Sequence, residues 1–477
     1  MRGFRPVALG TIAQLVGTTP RAPLPISAFV VPSSLRPLCL CIKLRSSPFV
    51  FSAVSVPTVL NSESNPDMNR STPHWGTPPW KISFRSKLIR LPAHVDFAII
   101  GAGFTGLAAA AILKRLAPKK SVLLLEANRI GNGASGRTGG MVLAETAAGN
   151  LPGLGDVLKG YRKILRDLRI EAGLDLPGVW EIARGDRSMD GKKIKPLGNS
   201  PIDWSDSGRV RIVKKVPGGA VDPGKVIDGL ARAAVRTGAL VAEDAEVVGI
   251  QPRNPVQLRV HWHHRGRLIR KAINANRVLL ATNAGGLGLA GKIFHAPPDP
   301  KLTFAIATAP LTKKQIAALG LASGRPFYTL DLPYLWGRLF ETGSLRKNSK
   351  SKTRRLIFGS GLVPAFGESL SKQNARNLWS GLEKESANRG SSRQRLKVLE
   401  DRVRSLHPAL KNIRITHRWG GPILLTKDFV PIFRTHPANK NLIFLGAYSG
   451  HGVALSVHLA KRAARALSTN RKLPNWN

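Results

Sequence analysis

From about residue 94 onward, apolar and polar positions alternate in blocks that predict strands and helices. Residues 95–100 (Val-Asp-Phe-Ala-Ile-Ile) form a short apolar run of the kind found in buried parallel strands. Residues 107–116 are rich in Ala and Leu and predict a helix, and residues 121–125 (Ser-Val-Leu-Leu-Leu) predict a second strand. The order of strand, helix and strand is that of a unit whose two strands pair in parallel.

The turn between the first strand and the helix is rich in glycine. Gly101, Gly103 and Gly106 have the spacing of a dinucleotide-binding fingerprint, and Glu126 follows 20 residues after Gly106, at the end of the second strand. We expect Gly101 to make the tight turn, Gly103 to admit a pyrophosphate and Gly106 to let the helix pack on the strand. The helix N-terminus offers free N–H groups to the phosphates. A carboxylate at Glu126 suits ribose hydroxyls and disfavours the 2′-phosphate of NADP.

A long glycine-rich loop follows the second strand. Residues 126–140 have the sequence Glu-Ala-Asn-Arg-Ile-Gly-Asn-Gly-Ala-Ser-Gly-Arg-Thr-Gly-Gly, and a nicotinamide-binding unit normally has no such loop there. Its glycines allow a second stretch of cofactor to lie close to the backbone. Ser135 and Arg137 offer a hydroxyl and a fixed charge to phosphate or ring oxygens. The loop therefore favours FAD over NAD, the alternative being a flexible surface loop.

These two stretches resemble the D-amino-acid-oxidase-like FAD-dependent oxidoreductases. Within that family the resemblance is closest to the gamma-glutamylputrescine oxidoreductase and glycine/D-amino acid oxidase (deaminating) group. The group commonly has Asn and Gln where this chain has Thr138 and Met141, which bears on the substrate rather than the cofactor. The resemblance covers about residues 94–470. It implies an α/β fold with a discontinuous Rossmann-type FAD-binding domain and a mainly antiparallel-sheet substrate domain.

Segments further along the chain match the same family. The resemblance assigns the backbone of Val247 to the adenine, although an ordinary strand valine explains this residue equally well. It also matches Ala281 and Thr282 to a second cofactor-side strand and turn. Some relatives attach the flavin to a Cys near the position of Trp419, but the only two cysteines of this chain are at positions 39 and 41. We therefore expect FAD to be bound non-covalently.

A third glycine-rich turn lies near the C-terminus. Residues 442–445 predict a buried strand and residues 454–467 a helix, with Gly450, His451 and Gly452 between them. Backbone N–H groups and the positive end of this helix would stabilise the negative charge of reduced flavin. His451 either donates a hydrogen bond to the flavin or shapes the loop. The cofactor-binding residues expected from spacing and resemblance together are Gly101, Gly103, Phe104, Thr105, Gly106, Glu126, Ala127, Ser135, Gly136, Arg137, Gly139, Gly140, Val247, Ala281, Thr282, Gly450, His451, Gly452 and Val453.

Candidate substrate residues lie outside these turns. Residues 332–340 alternate as a strand does, which puts Tyr334, Trp336 and Arg338 on one face. Arg338 is the candidate partner of a substrate carboxylate, and its alternative is a surface arginine at a strand edge. Tyr334 and Trp419 are candidate walls of the substrate pocket or members of the core. Residues 346–355 carry six basic residues, which indicate a solvated hairpin loop or a polyanion patch.

Composition changes this picture in two respects. The 477-residue chain has 73 Lys and Arg against 28 Asp and Glu, a net charge of +45, which indicates attraction to anions without specifying a fold. The two cysteines are too few and too close together for a disulfide framework or a structural zinc site, and no metal site is expected. Residues 1–67 are poor in acidic residues and indicate either a targeting peptide or an upstream extension before Met68.

The expected domain organisation assigns residues 1–93 to a disordered extension and leader arm. The FAD-binding domain is expected in three segments, residues 94–185, 218–300 and 411–477. The substrate domain is expected in two segments, residues 186–217 and 301–410.

The expected function follows from the cofactor. We expect an FAD-dependent oxidoreductase that oxidises a C–N bond of an amine or amino acid by hydride transfer to flavin N5, after which the imine is hydrolysed. Oxygen or a respiratory carrier would accept the electrons, and the location would be cytoplasmic. The alternative is a basic flavoprotein that binds a polyanion, such as nucleic acid or an RNA-borne substrate, with redox chemistry secondary. DNA is not expected as a partner, and weak polyanion binding remains open.

Overall fold

Strands that are apolar on both faces pair in parallel to form the first sheet. The structure, a computed structural model, describes residues 75–185, 193–294, 298–331, 334–342, 353–364, 390–469, 473–474 and 476. The described residues all fall in one of the two compact units into which the chain divides. The strands of the first sheet are β1 (His94–Ile100), β2 (Val122–Leu125), β8 (Leu240–Ala242), β9 (Ala245–Gln251), β10 (Val256–His264), β11 (Arg267–Leu280), β17 (Ile432–His436) and β18 (Asn439–Gly446).

The first sheet has the order β17-β18-β11-β1-β2-β8. All neighbours from β18 to β8 pair in parallel, and β17 adds an antiparallel edge strand. One face is covered by helices and the other by the antiparallel ribbon of β9 and β10, which extends β11. The helices of the described residues are α1 (Phe104–Leu116), α2 (Val157–Asp167), α3 (Pro223–Arg236), α4 (Leu287–Ala290), α5 (Lys313–Ala318), α6 (Gly390–Ser405) and α7 (Gly452–Thr469).

The second sheet is mainly antiparallel. Its order is β16-β12-β15-β14-β13-β4-β6-β5, and only the β13–β4 pair is parallel. One face packs against α5 and α6 in a separate apolar core, so the opposite face is turned toward the first sheet's loops. Its strands are β4 (Val179–Arg184), β5 (Trp204–Ser205), β6 (Arg209–Val216), β12 (Asp299–Thr308), β13 (Phe327–Thr329), β14 (Leu335–Thr342), β15 (Thr353–Pro364) and β16 (Ile415–Leu425), while β3 (Met141–Leu143) and β7 (Gly218–Ala220) pair with each other.

The expected α/β class is confirmed, with a parallel sheet in one part and a mainly antiparallel sheet in the other. Two of the expected segment boundaries do not match the strand pairing. β4 was assigned to the FAD-binding domain, yet it pairs with β6 and β13 of the second sheet. β16 was assigned there too, yet it pairs along its length with β12. The chain therefore enters the second sheet earlier, at β4, and leaves it later, after β16, than composition suggests.

The expectation of disorder does not hold for residues 75–93, here called the N-terminal arm. Trp75, Trp80 and Leu91 are buried. The carbonyl of Trp75 accepts a hydrogen bond from the Gly420 N–H at 2.8 Å, and Gly76 bridges to Trp419 of β16. The arm is therefore an ordered part of the fold. Three parts of the chain lie outside the described residues, namely residues 1–74, most of the basic stretch 346–355, and residues 372–382, whose sequence predicts a helix.

Candidate active site

The carboxyl ends of the parallel strands bring the predicted cofactor residues to one edge of the first sheet. Gly101 follows β1, Glu126 follows β2, Ala281 follows β11, and β18 leads into the turn that precedes Gly450. Because these strands are parallel, their following loops share an edge, which is where open α/β sheets bind ligands. Segments separated by more than 300 residues in the sequence are thereby placed side by side.

The first glycine turn is as tight as the fingerprint predicts. Gly101 has φ of +101°, and a Cβ built on Gly106 would lie 1.9 Å from the Gly101 carbonyl oxygen. Neither position can carry a side chain without moving backbone. Gly103 is the N-cap of α1 and has no side chain to cap it, and the first turn of α1 carries no acidic residue. The Ser135 hydroxyl accepts the Phe104 N–H at 3.0 Å, so the second glycine loop contacts the start of this helix.

Glu126 links the first turn to the second strand. Its carboxylate accepts hydrogen bonds from the Ala102 N–H at 2.7 Å and the Asn128 N–H at 3.0 Å. Burial raises the pKa of Glu126, and these two hydrogen bonds oppose that shift. Ala127 follows directly within the same turn. Val247 lies two residues beyond Ala245, whose N–H donates to the Glu126 carbonyl. Val247 is itself buried in β9, so its side chain belongs to the core.

The glycine-rich loop, residues 126–140, is held by side chains from three other segments. The indole N–H of Trp80 in the N-terminal arm donates to the Gly136 carbonyl at 2.7 Å. The indole N–H of Trp419 donates to the Arg137 carbonyl at 2.8 Å. Arg338 Nε donates to the Gly139 carbonyl, and its Nη2 donates to the Val221 carbonyl at 2.9 Å. The loop is therefore fixed against the second sheet.

Two guanidinium groups near this loop form no ion pair within the described residues, although Asp222 acts on the charge of Arg338 at longer range, and one nearby hydroxyl forms no hydrogen bond. Arg137 donates to the carbonyls of Asn132 and Gly76, each at 3.0 Å, and forms no ion pair within the described part of the chain. Burial lowers the pKa of Arg137 to about 10 and that of Arg338 to about 10. The buried Thr282 Oγ1 has no hydrogen-bond partner there either. Such unpaired cationic and polar groups fit an anionic ligand.

The third glycine turn adopts an uncommon backbone. Ala447 and Ser449 have φ of 57° and 49°, and Gly450 has φ of 88°. Non-glycine residues at positive φ in a loop next to a helix start are typical of functional turns. The Tyr448 hydroxyl lies 2.7 Å from Thr105 Oγ1 and ties this turn to α1. Burial lowers the pKa of His451 to about 4, so its imidazole is neutral at pH 7.

The three predicted substrate residues have different surroundings. Tyr334 precedes β14 and is half-buried, and burial raises its pKa. Arg338 is buried, so the surface alternative is wrong, and its described hydrogen bonds go to backbone carbonyls. Trp419 is buried against Trp80, with ring centroids 5.5 Å apart at 84°. Arg338 and Trp419 thus contact the glycine-rich loop rather than an open pocket wall.

The comparisons with known proteins agree with this arrangement. The family model described as DAO, FAD dependent oxidoreductase, matches residues 96–466. The chain belongs to this family. Among curated relatives of this DAO-family protein, the probable oxidoreductase OrdL of Haemophilus influenzae is 26% identical over 414 residues, covering 78% of this chain and 83% of that protein. The gamma-glutamylputrescine oxidoreductase of Escherichia coli is 26% identical over 398 residues, covering 77% and 82%.

Solved structures share the fold at lower identity. Glycine oxidase from Geobacillus kaustophilus superposes with a TM-score of 0.53 at 17% identity, covering 80% of this chain and 96% of that one. L-amino acid deaminase from Proteus myxofaciens superposes with a TM-score of 0.56 at 15% identity, covering 83% and 94%. At these identities the likeness shows the fold alone.

The DAO family is FAD-dependent, and the described residues fit that cofactor. The turn at Gly101–Gly106 and the α1 N-terminus would hold the pyrophosphate, and Glu126 the ribose. The unpaired guanidinium of Arg137 and the unbonded Thr282 hydroxyl would face its anionic and polar groups. The observation on Arg137 concerns charge and the observation on Thr282 concerns a hydroxyl without a hydrogen bond, so the two support the fit independently.

Sequence reasoning missed a polar group on the face of the second sheet that is turned toward the glycine-rich loop. Glu181 of β4 is buried, and its carboxylate accepts the Tyr328 hydroxyl at 2.6 Å. Tyr328 pairs across β13–β14 with Trp336, whose ring would lie 2.1 Å from a Cβ on Gly139. Burial and then Glu181 raise the pKa of Glu145, which follows β3. The signal in the sequence that could have indicated this group was the single acidic residue, Glu181, in the otherwise mainly apolar strand β4.

Proposed function

We propose that this DAO-family protein oxidises a C–N bond of an amine or amino acid. Bound FAD would accept hydride from the carbon beside the nitrogen. The observation that carries the proposal is the convergence of three glycine turns at the carboxyl edge of the parallel sheet, directly beside the inner face of the antiparallel sheet. The chain's own residues would bind the substrate on that face and exclude water from it.

The charges on that face favour a substrate that presents a cationic amino group. Arg338, the expected carboxylate partner, already donates to the Gly139 and Val221 carbonyls. Glu181 and Glu145 supply negative charge on the same side, and neither forms an ion pair within the described residues. The name of the curated relative gamma-glutamylputrescine oxidoreductase describes an amine-bearing compound. These observations support an amine as substrate ahead of a simple amino acid.

The polyanion alternative rests on the net charge of +45. In the described structure, cations of α2 and α7 lie close together, because burial and then the charges of Arg465 and Lys163 lower the pKa of Lys461. Among the described residues, no cluster of hydrogen-bonded side chains marks a nucleic-acid site. The polyanion alternative therefore stays a prediction. The electron acceptor and the cytoplasmic location also remain predictions. Within the described chain no helix combines the length and apolar character that a membrane crossing requires.

An anaerobic substrate screen tests the proposal. Purified holoprotein would be mixed with pairs of compounds, each an amine and the α-amino acid that carries one additional carboxyl group. Bleaching of the flavin absorbance would be followed over time. We expect bleaching by at least one amine and slower bleaching by its amino acid. Absence of bleaching by every compound would refute C–N oxidation, whereas bleaching by amino acids alone would refute only the preference for an amine. Admitting air and measuring hydrogen peroxide then identifies oxygen as an acceptor.

A further inference from the structure

Three carbonyl groups of the glycine-rich loop point toward side chains outside it. Gly136 accepts from Trp80, Arg137 accepts from Trp419, and Gly139 accepts from Arg338. Each donor comes from a different segment, namely the N-terminal arm, β16 and β14. All three donors are buried, and Trp80 packs edge-on against Trp419 at a centroid distance of 5.5 Å. The loop is therefore bonded at three of the four residues from 136 to 139.

The planarity of the peptide bond fixes what lies on the other side. In a trans peptide the C=O and the following N–H point in opposite directions. Because Trp419 holds the Arg137 carbonyl, the Thr138 N–H in the same plane points away from Trp419. The N–H groups of Thr138 and Gly139 have no acceptor among the described residues. Free N–H groups at successive positions form the kind of concavity that binds anions.

The N-terminal arm is anchored on both sides of Trp80. Upstream, the Trp75 carbonyl accepts the Gly420 N–H, and the Gly76 carbonyl accepts from Arg137. Downstream, the Asp228 carboxylate of α3 accepts the Ser83 N–H at 3.0 Å and the Phe84 N–H at 2.8 Å. Trp80 is thereby held between the second sheet and the helical layer of the first. Its position depends on both.

We propose that Trp80 and Trp419, together with Arg338, are positioning residues of the FAD site, so that the N-terminal arm is part of that site. Their hydrogen bonds hold the carbonyls of residues 136, 137 and 139 against the arm and the second sheet, and the Thr138 and Gly139 N–H groups are left for the cofactor. The inference rests on FAD binding, which the family establishes, and is independent of the substrate class.

Trp80→Phe tests this inference because it keeps an aromatic ring against Trp419 and removes the indole N–H. FAD would be removed from the purified full chain and titrated back, with flavin fluorescence and visible circular dichroism as readouts. The loss of one neutral hydrogen bond is expected to weaken FAD binding about threefold to tenfold. Amide hydrogen exchange of residues 131–140 in the FAD-free chain is expected to become faster, and the circular dichroism of the bound flavin to change.

Trp204→Phe is the matched control. Trp204 is also buried, and its indole N–H donates to the Leu319 carbonyl at 3.1 Å in the core of the second sheet. It should lower thermal stability and leave FAD affinity and loop exchange unchanged. Wild-type affinity and exchange in Trp80→Phe would overturn the proposal, as would an equal loss of affinity in Trp204→Phe. If Trp80→Phe does not fold, Trp419→Phe makes the same comparison. Neither titration involves substrate, so a failure here leaves the proposed reaction untouched.

Discussion

Among individual residues of the cofactor turn, Gly103 faces a side chain, whereas Gly101 and Gly106 face backbone. A Cβ built on Gly103 would lie 2.8 Å from Ser135 Oγ, before any cofactor is considered. Gly103→Val should therefore push Ser135 off the Phe104 N–H and fill the path of the pyrophosphate. We expect the variant to purify colourless while the wild type is yellow. The ratio of the flavin absorbance at about 450 nm to the protein absorbance at about 280 nm measures this difference.

Gly198→Val is the control for that change. Gly198 has no positive φ, and a Cβ there would meet nothing within 4 Å. This variant should keep the wild-type flavin content. Stoichiometric flavin in Gly103→Val would contradict the placement of the cofactor at this turn.

Glu181 is the residue whose charge decides the substrate preference that we propose. Glu181→Gln keeps the acceptor for the Tyr328 hydroxyl and removes the negative charge. A charged hydrogen bond contributes about 1.5–3 kcal/mol, so KM for a cationic amine should rise about 10- to 150-fold. FAD content should not change. A rise in KM for neutral and cationic substrates alike would contradict a role in charge recognition, and Glu246→Gln, on the distant β9, serves as the control.

His451 gives stability a specific dependence on pH. Burial lowers its pKa to about 4 in the folded chain, against about 6.5 when exposed. Between these values the unfolded chain binds the extra proton, so the folded state loses stability as the pH falls from about 6.5 to about 4. The melting temperature of His451→Asn should therefore fall less than that of the wild type between pH 7 and pH 5. His263→Asn, at an exposed position, should follow the wild-type curve; identical curves for all three proteins would refute the shift.

At the scale of elements, the N-terminal arm depends on one carboxylate of α3. Asp228 accepts hydrogen bonds from the Ser83 N–H, the Ser83 hydroxyl and the Phe84 N–H. Asp228→Ala leaves these donors without their acceptor, and we expect the arm's amide exchange to accelerate and FAD affinity to fall. Asp203→Ala removes a carboxylate from an exposed pair with Arg209 and should change neither quantity. Unchanged exchange in Asp228→Ala would show that the arm's other contacts, such as the hydrogen bond from the Ser86 N–H to Glu243, hold it without Asp228.

The elements also show what the sequence could predict. β1, α1 and β2 follow from an apolar run, an Ala-rich stretch and three glycines, because these local features are sufficient to define such a unit. Sheet membership of β4 and β16 could not be predicted, because pairing partners lie far away in the sequence. For the same reason Arg338 and Trp419 were assigned to the substrate. Their acceptors are backbone carbonyls, which leave no signature in side-chain identity.

For the molecule as a whole, the positive charge is spread rather than concentrated at a described site. Any association with duplex DNA at 50 mM salt should therefore be non-specific and should weaken steeply, by at least about tenfold, at 200 mM. Filter binding or fluorescence anisotropy of labelled DNA would measure this. FAD content and the rate of flavin bleaching by amine should be insensitive to the added DNA. A sequence-dependent affinity that survives 200 mM salt would instead support the polyanion function.

The anchoring of the N-terminal arm has a consequence for how the protein is made. The arm leaves the ribosome early, but Asp228 is synthesised 145 residues after Ser83, and the β16 partner of Gly76 follows near the end of the chain. Trp75 and Trp80 therefore lack their contacts with β16 until most of the chain has been translated. A nascent chain that stops before residue 415 has no Trp419 or Gly420 against which to dock them. We therefore expect a chain that stops before residue 415 to retain less flavin than one that includes β16.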